Sequence, residues 1–357
     1  MKKVICFTES LGAGGAERQL CNLAVLLKQQ GYQVEVWTYA KGDFYRYLLD
    51  QHNIRFQHLA TAENRWFRIF RLWCQVRKAR PDVVIAYMAT PSLVMSLVSR
   101  FSRGFKLIVS ERNTNQSLNW RDKVRFWAYR QADAVVPNSY TQAAFIEREA
   151  AMLAPKIRVI TNYVDTGYFL PATTKRDAHN KLQMLVVARV MPQKNVMRFL
   201  ETLHLVRQAG ISFDVKWYGD TADEAYADRC RMLLTQLGLD SMCTFFPATT
   251  DILKAYQAAD LFCLPSLYEG FPNVVCEAMS CGLPILCGNV CDNPRLVQDG
   301  YNGYLFNPQD VNDMVNAFKK MLLLPEQERQ TFAKRNRAIA EERFSSTAFM
   351  EAYKSLF

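Results

Sequence analysis

Leu264-Pro265-Ser266-Leu267-Tyr268-Glu269-Gly270-Phe271-Pro272-Asn273-Val274-Val275-Cys276-Glu277-Ala278-Met279-Ser280-Cys281-Gly282-Leu283-Pro284 reads as strand, loop, helix, loop and strand. Glu269 falls on the loop and Glu277 within the helix, with seven residues between them. Gly270, Phe271, Pro272 and Asn273 open the helix, where unpaired backbone N–H groups favour a phosphate. A carboxylate further along, at Glu277, can accept two hydrogen bonds from a vicinal diol such as a ribose. Glu269 can do the same for sugar hydroxyls next to that phosphate.

The alternation continues on both sides of this stretch. Strands at 184–188, 213–218, 244–246 and 261–264 are separated by helices from Asn195, near 222–237 and over 250–258. A strand at 284–286 is followed by helices near 310–323 and 326–342. In the first half, strands at 3–7, 34–37, 83–87, 106–110, 134–136 and 157–160 alternate with helices over 16–30, 65–80, from Pro91, near 118–131 and near 140–150. This pattern predicts an α/β chain with parallel sheets and helices on both faces. Residues 166–182 lack periodicity and hold Gly167, Pro171, Thr173 and Thr174, so they read as a linker. With roughly 150 residues per domain as a prior, the 357 residues divide into domains 1–165 and 183–342. Both are expected to be doubly wound and Rossmann-like, facing across a cleft, with ligands at the carboxyl ends of their strands.

Hydrophobic residues make up 50% and charged residues 22%, which excludes disorder, collagen and coiled coil as whole-chain descriptions. The net charge of +10 calls for an acidic partner, and the whole excess lies in residues 1–170. The 10 Cys include no C-x-x-C, and none of the 4 His lies near a Cys pair, so no metal site is expected. Scattered Cys in apolar runs read as buried thiols of a reducing cytosol. Residues 83–99 carry no charge, but Thr90-Pro91-Ser92 interrupts them, so a strand followed by a helix fits better than a membrane span.

Three further groups bear on chemistry. Arg189 and Lys194 fall on one strand-to-helix loop, and two cations there suit a diphosphate whose negative charge grows as it leaves. Gly12-Ala13-Gly14-Gly15-Ala16-Glu17 joins the first strand to the first helix, where Gly14 and Gly15 let backbone approach an anion. The dinucleotide fingerprint fails there because Glu17 stands at its third glycine, although Glu35 could mimic its ribose acid. The segment 65–80 has six cations and no acid. Arg65, Arg68 and Arg71 flank a stripe that includes Trp66, Phe70 and Trp73, the design of a helix lying on an anionic membrane. Two more basic aromatic stretches follow at 100–106 and 120–127.

Over essentially its whole length the sequence resembles the retaining glycosyltransferases of GT-B fold in family 4 (GT4), of the type that builds bacterial surface polysaccharides. Glu269…Glu277 matches the family's E-x7-E motif, Arg189 and Lys194 its R-x4-K pair, and Gly14-Gly15-Ala16-Glu17-Arg18 the loop of many members. The resemblance implies a nucleotide-sugar donor, most commonly UDP-linked, with Glu277 on the ribose and Glu269 on the sugar. Arg189, Lys194 and the start of the helix at Gly270–Asn273 would stabilise the leaving diphosphate, with no metal or cofactor required. Domain 183–342 would bind the donor and domain 1–165 the acceptor, with a helix in 343–357 returning to the first domain. The implied acceptor is a lipid-linked saccharide at the inner face of the cytoplasmic membrane, as in lipopolysaccharide synthesis, and the enzyme would be peripheral there. Two departures stand out. Val109-Ser110-Glu111-Arg112-Asn113 has no His where many members place one, leaving Glu111 or Arg112 as the substitute, and Pro247 replaces a common Gly near the base-binding loop. A soluble transferase with a small cytosolic acceptor is the nearest alternative. A nucleic-acid-binding or scaffold protein is disfavoured by the intact motif and by the near-neutral second half.

Overall fold

The computed structural model describes residues 1–12, 14–59, 65–102, 104–112, 117–173, 181–221 and 223–357, with 65–68 described in backbone only. Contacts divide the chain into two compact units, Met1–Tyr163 with Ser346–Phe357, and Val164–Ser345.

The first unit runs β1 (Lys3–Phe7), α1 (Gly15–Gln29), β2 (Gln33–Thr38), α2 (Arg46–Gln51), β3 (Arg55–His58), α3 (Arg65–Ala79), β4 (Val83–Tyr87), α4 (Ala89–Phe101), β5 (Lys106–Glu111), α5 (Trp120–Ala128), β6 (Ala134–Pro137) and α6 (Tyr140–Glu149). The second runs β7 (Leu182–Val187), α7 (Val196–Gln208), β8 (Phe213–Tyr218), α8 (Glu224–Gln236), β9 (Cys243–Phe246), α9 (Ile252–Ala258), β10 (Leu261–Leu264), α10 (Asn273–Ser280), β11 (Ile285–Gly288), α11 (Asn293–Leu296), β12 (Gly303–Phe306), α12 (Val311–Leu322) and α13 (Glu326–Arg343). A last helix, α14 (Ser346–Lys354), belongs to the first unit.

Each unit has a six-stranded parallel sheet, ordered β3-β2-β1-β4-β5-β6 in the first and β12-β11-β10-β7-β8-β9 in the second. These are the same winding. Each reverses direction once, between β1 and β4 and between β7 and β10, and the crevice outside the carboxyl ends at that reversal is where such sheets take ligands. The central strands β4, β10 and β11 are apolar runs buried along their whole length, as parallel strands covered on both faces are. Val4, Cys6 and Ile85 face one layer, which includes Leu20, Leu27 and α14, while Ile5, Val84 and Val109 face the layer of α3, α4 and α5.

Three expectations change. Residues 157–160 form only an isolated bridge, Val135 to Ile157, rather than a strand. Arg158 and Ile160 still donate their N–H groups to Val135 O at 2.9 Å and Pro137 O at 3.2 Å, so the segment follows the edge of β6 without completing a ladder. Residues 166–173 of the expected linker, and 164 and 165 before them, belong to the second unit. Phe169 is buried in its core and its carbonyl accepts from Ser280 Oγ at 2.7 Å. Glu35 is no ribose acid. It lies inside β2, 2.8 Å from Lys3 Nζ and 3.5 Å from Arg55, and it accepts from the Trp37 indole at 2.9 Å.

Burial pushes the Glu35 carboxyl up, but the bonds from Lys3 and Trp37 and the charges of Lys3 and Arg55 outweigh this and hold it below the usual value. Its stabilisation is therefore complete above about pH 4.3, the ordinary glutamate value. It is lost as the pH falls through the lowered folded value. Glu35→Gln should flatten the acid limb of the melting-temperature profile. An unchanged limb would show that the acid sensitivity comes from elsewhere.

Candidate functional site

In the second unit the loops that follow β7, β8, β9 and β10 are tied to one another. Leu267 N–H donates to Gln193 O at 2.9 Å and Gln193 Nε2 donates to Tyr268 O at 2.8 Å, joining the loops at the strand reversal. Val190 N–H donates to Asp220 O at 3.0 Å, and Ala248 N–H donates to Asp220 Oδ1 at 2.8 Å, which extends the chain of contacts across β8 and β9. Gly219 is required there, since a Cβ on it would fall 2.0 Å from Ala188 O.

On this platform Lys194 Nζ stands 2.5 Å from Glu269 Oε1, with both side chains largely buried. The Glu269 N–H donates to Cys291 Sγ at 3.4 Å, so a residue with no sequence signal helps to hold that loop. Cys291 itself has φ of 50°, in the left-handed region that favours glycine. Glu277 is buried on α10 and accepts from Tyr256 Oη at 3.0 Å. Tyr256 was not singled out from sequence, although an aromatic on the apolar face of α9 was visible there. Arg189 is exposed on the β7 loop, with no ion-pair partner among the described residues. Gly270 and Asn273 are half-buried at the start of α10, whose N-terminus has no side-chain cap, so the helix dipole there favours an anion. Phe271 and Pro272 are buried, and the Phe271 ring packs edge-on against Phe344, so only their backbone can face a ligand.

Beside Val190 a cavity of about 430 Å³ opens at the carboxyl ends of β8 and β9, lined by Gly219, Asp220, Thr221, Phe246 and Pro247. It is large enough for a flat heterocycle. The arrangement thus aligns an aromatic-lined cavity, two cations, an uncapped helix start and two buried carboxylates along one sheet edge. Among the described residues, no group of three or more His, Cys, Asp or Glu is placed to hold a metal ion.

The first unit's predicted residues are used differently. Gly14 caps α1 and Gly15 begins it, but a Cβ at Gly14 would lie 2.0 Å from Glu17 Oε2. The chain's own carboxylate therefore covers that helix start. Glu111 is buried, accepts from the Tyr129 hydroxyl and lies 3.2 Å from Arg125 Nε. Burial pushes its carboxyl up, against the Arg125 charge and the Tyr129 bond. Arg112 is buried too, donating to Asn162 Oδ1 at 2.9 Å, Tyr87 Oη at 2.8 Å and Tyr353 Oη at 2.7 Å. Both are locked into the interior of the unit by partners distant in sequence. Of the α3 residues, Phe70 is exposed, Arg71 and Trp73 are half-buried, and the Arg65, Trp66 and Arg68 side chains lie outside the described residues. Leu72 and Val76 are in the core and Ile69 and Trp73 pack on it, so these four α3 residues serve the sheet while Phe70 faces outward.

Residues 13–168 match the family model "Glycosyltransferase Family 4" and residues 173–339 the model "Glycosyl transferases group 1". The chain is 31% identical over 174 residues to the UDP-Gal:alpha-D-GlcNAc-diphosphoundecaprenol alpha-1,3-galactosyltransferase of Escherichia coli, a match that spans 46% of this chain and 45% of that protein. It is 22% identical over 339 residues to the N-acetylgalactosamine-N,N'-diacetylbacillosaminyl-diphospho-undecaprenol 4-alpha-N-acetylgalactosaminyltransferase of Campylobacter jejuni, covering 90% of each. Among solved structures, Anabaena HepE in complex with UDP superposes with a TM-score of 0.86 at 22% identity, covering 100% of this chain and 99% of that one.

Proposed function

The chain belongs to the family 4 glycosyltransferases of GT-B fold, and from that premise we propose that it moves a sugar, with retention of anomeric configuration, from a UDP-sugar to a lipid-linked saccharide. The observation that carries this reading is the buried Lys194–Glu269 pair at the strand reversal of the second unit, with a second buried carboxylate, Glu277, on the helix α10 that follows. In it the uracil occupies the cavity at β8 and β9, Glu277 accepts from the ribose diol, and the diphosphate lies across Lys194, Arg189 and the start of α10. Glu269 accepts from donor-sugar hydroxyls while Lys194 and Arg189 neutralise the charge that grows on the leaving phosphate. The acceptor hydroxyl attacks on the face the diphosphate leaves, and a departing phosphate oxygen takes its proton. The two cations serve where another enzyme would use a metal, so chelators should leave the rate unchanged.

The names of the relatives support a UDP-linked donor and an acceptor carrying an undecaprenyl diphosphate. Such an acceptor puts the reaction at the surface of the cytoplasmic membrane, in lipopolysaccharide or related surface-polysaccharide synthesis. No helix among the described residues is long and apolar enough to cross a membrane.

UDP at 100 times its Kd should raise the melting temperature of the second unit by roughly 5–10 °C. Glu277→Ala should abolish that shift. A UDP-sugar panel with a polyprenyl-diphosphate-linked saccharide should then give a product whose anomeric coupling matches the donor. Inversion would overturn the front-face mechanism, and transfer only to small water-soluble sugars would overturn the acceptor class.

A further inference from the structure

On the outer surface of the first unit, α5 carries two opposed stripes. Asp122, Arg125, Phe126 and Ala128 are buried. Trp120, Val124 and Trp127, at helical spacing on the other side, are 70%, 48% and 52% exposed. Next to α5, α4 ends in Phe101, 71% exposed, and the Trp73 indole of α3 donates to the Phe101 carbonyl at 3.4 Å. Phe70 lies 5.7 Å from the Trp73 ring and is 54% exposed. Isolated exposed apolar residues are ordinary, but this many aromatics on three adjoining helices mark an interaction surface.

The charges around it have one sign. Arg100, Arg121 and Lys123 are exposed, and the Arg121 guanidinium lies 5.5 Å from the Trp120 ring centroid. Asp122 on α5 and Glu111 before it are buried and paired with Arg125, and Asp133, exposed beyond the end of α5, accepts from the Leu107 N–H at 2.7 Å. No exposed acid stands on α3, α4 or α5 among the described residues. Aromatic rings that insert at headgroup depth, ringed by cations, match an anionic lipid surface.

We propose that the outward ridge of α5, together with Phe101 and Phe70, docks this protein on an anionic phospholipid bilayer. The proposal deepens the reading of a lipid-linked acceptor and rests on it for its purpose. Of the α3 stripe it keeps only Phe70, since Ile69 and Trp73 pack on the core.

The test is flotation of the full chain with phosphatidylcholine vesicles, with and without phosphatidylglycerol. The native chain should float with the anionic vesicles and lose binding in high salt. Trp120→Ser with Trp127→Ser should lower the bound fraction about tenfold, and Arg121→Gln with Lys123→Gln should do so only for anionic vesicles. Both variants should keep the native circular dichroism and the native amide-exchange protection of β4 and β5, which report an intact first unit. Equal flotation of native and variant chains overturns the proposal. So does equal binding to neutral vesicles, self-association that the Trp substitutions abolish, or flotation lost to competing oligonucleotide. If the native chain docks but glycosylates no lipid-linked acceptor, the functional reading fails while the docking stands. If it glycosylates detergent-dispersed acceptor but never floats, the docking fails while the function stands.

Discussion

Lys194→Ala is expected to lower turnover at saturating donor by about 10²–10³-fold, the range seen when one preorganised charge-stabilising donor is removed. Lys194 Nζ and Glu269 Oε1 are 2.5 Å apart, and both side chains are largely buried. Removing the ammonium takes a cation from the leaving phosphate and leaves a buried carboxylate without its counter-charge, which is costlier than removing the pair. The loss should therefore be partly relieved in Lys194→Ala with Glu269→Gln, the non-additivity of groups that act as a unit. Arg189→Ala should cost less, because Arg189 is exposed and its field is screened. Single-turnover rates at saturating donor decide the matter. A Lys194→Ala rate within threefold of native would remove this lysine from the chemistry.

The largest effect on stability should come from α14. Tyr353 is buried in the core of the first unit, its hydroxyl 2.8 Å from that of Tyr87 and 2.7 Å from Arg112 Nη2. Phe349 stacks edge-on against it and packs on Tyr163. Tyr353→Ala removes a buried aromatic and strips a partner from a buried guanidinium, which costs about 3–5 kcal/mol for the cavity alone. Tyr353→Phe keeps the ring and should cost about 1–3 kcal/mol. Urea unfolding, with amide exchange to separate the two units, should show the loss in the first unit while α7 and α12 keep their protection. A Tyr353→Ala chain with unchanged exchange in β4 and β5 would contradict the packing.

Much of the fold was legible because central parallel strands announce themselves. Val83–Tyr87 and Leu261–Leu264 are unbroken apolar runs, and each spans the residues its sequence predicts. Arg55–His58 and Gly303–Phe306 were missed for the converse reason. They are the outer strands of their sheets, half covered, and their polar or glycine residues break the apolar run. In the site, the spacing of Glu269 and Glu277 is local and could be read directly. The partners that give other residues their environment are not local. Arg112 meets Tyr353 across 241 positions and Lys194 meets Glu269 across 75. Nothing near Arg112 in sequence says that it is enclosed by two tyrosines. The aromatic residues of α3 and α5 look alike as strings, and only packing shows which of them face outward.

The return of α14 also sets an order in time. The first unit is assembled from the two ends of the chain, Met1–Tyr163 and Ser346–Phe357, with all of Val164–Ser345 lying between them. During synthesis at roughly 5–20 residues per second, the ribosome needs about 10–35 s to traverse that middle portion. For that interval the nascent first unit has an open apolar seat where Phe349, Met350 and Tyr353 will later lie. The second unit, whose residues are consecutive, can close as it emerges. The part of the protein translated first is thus the last to be completed, and until then it presents a surface that chaperones of the exit tunnel can hold.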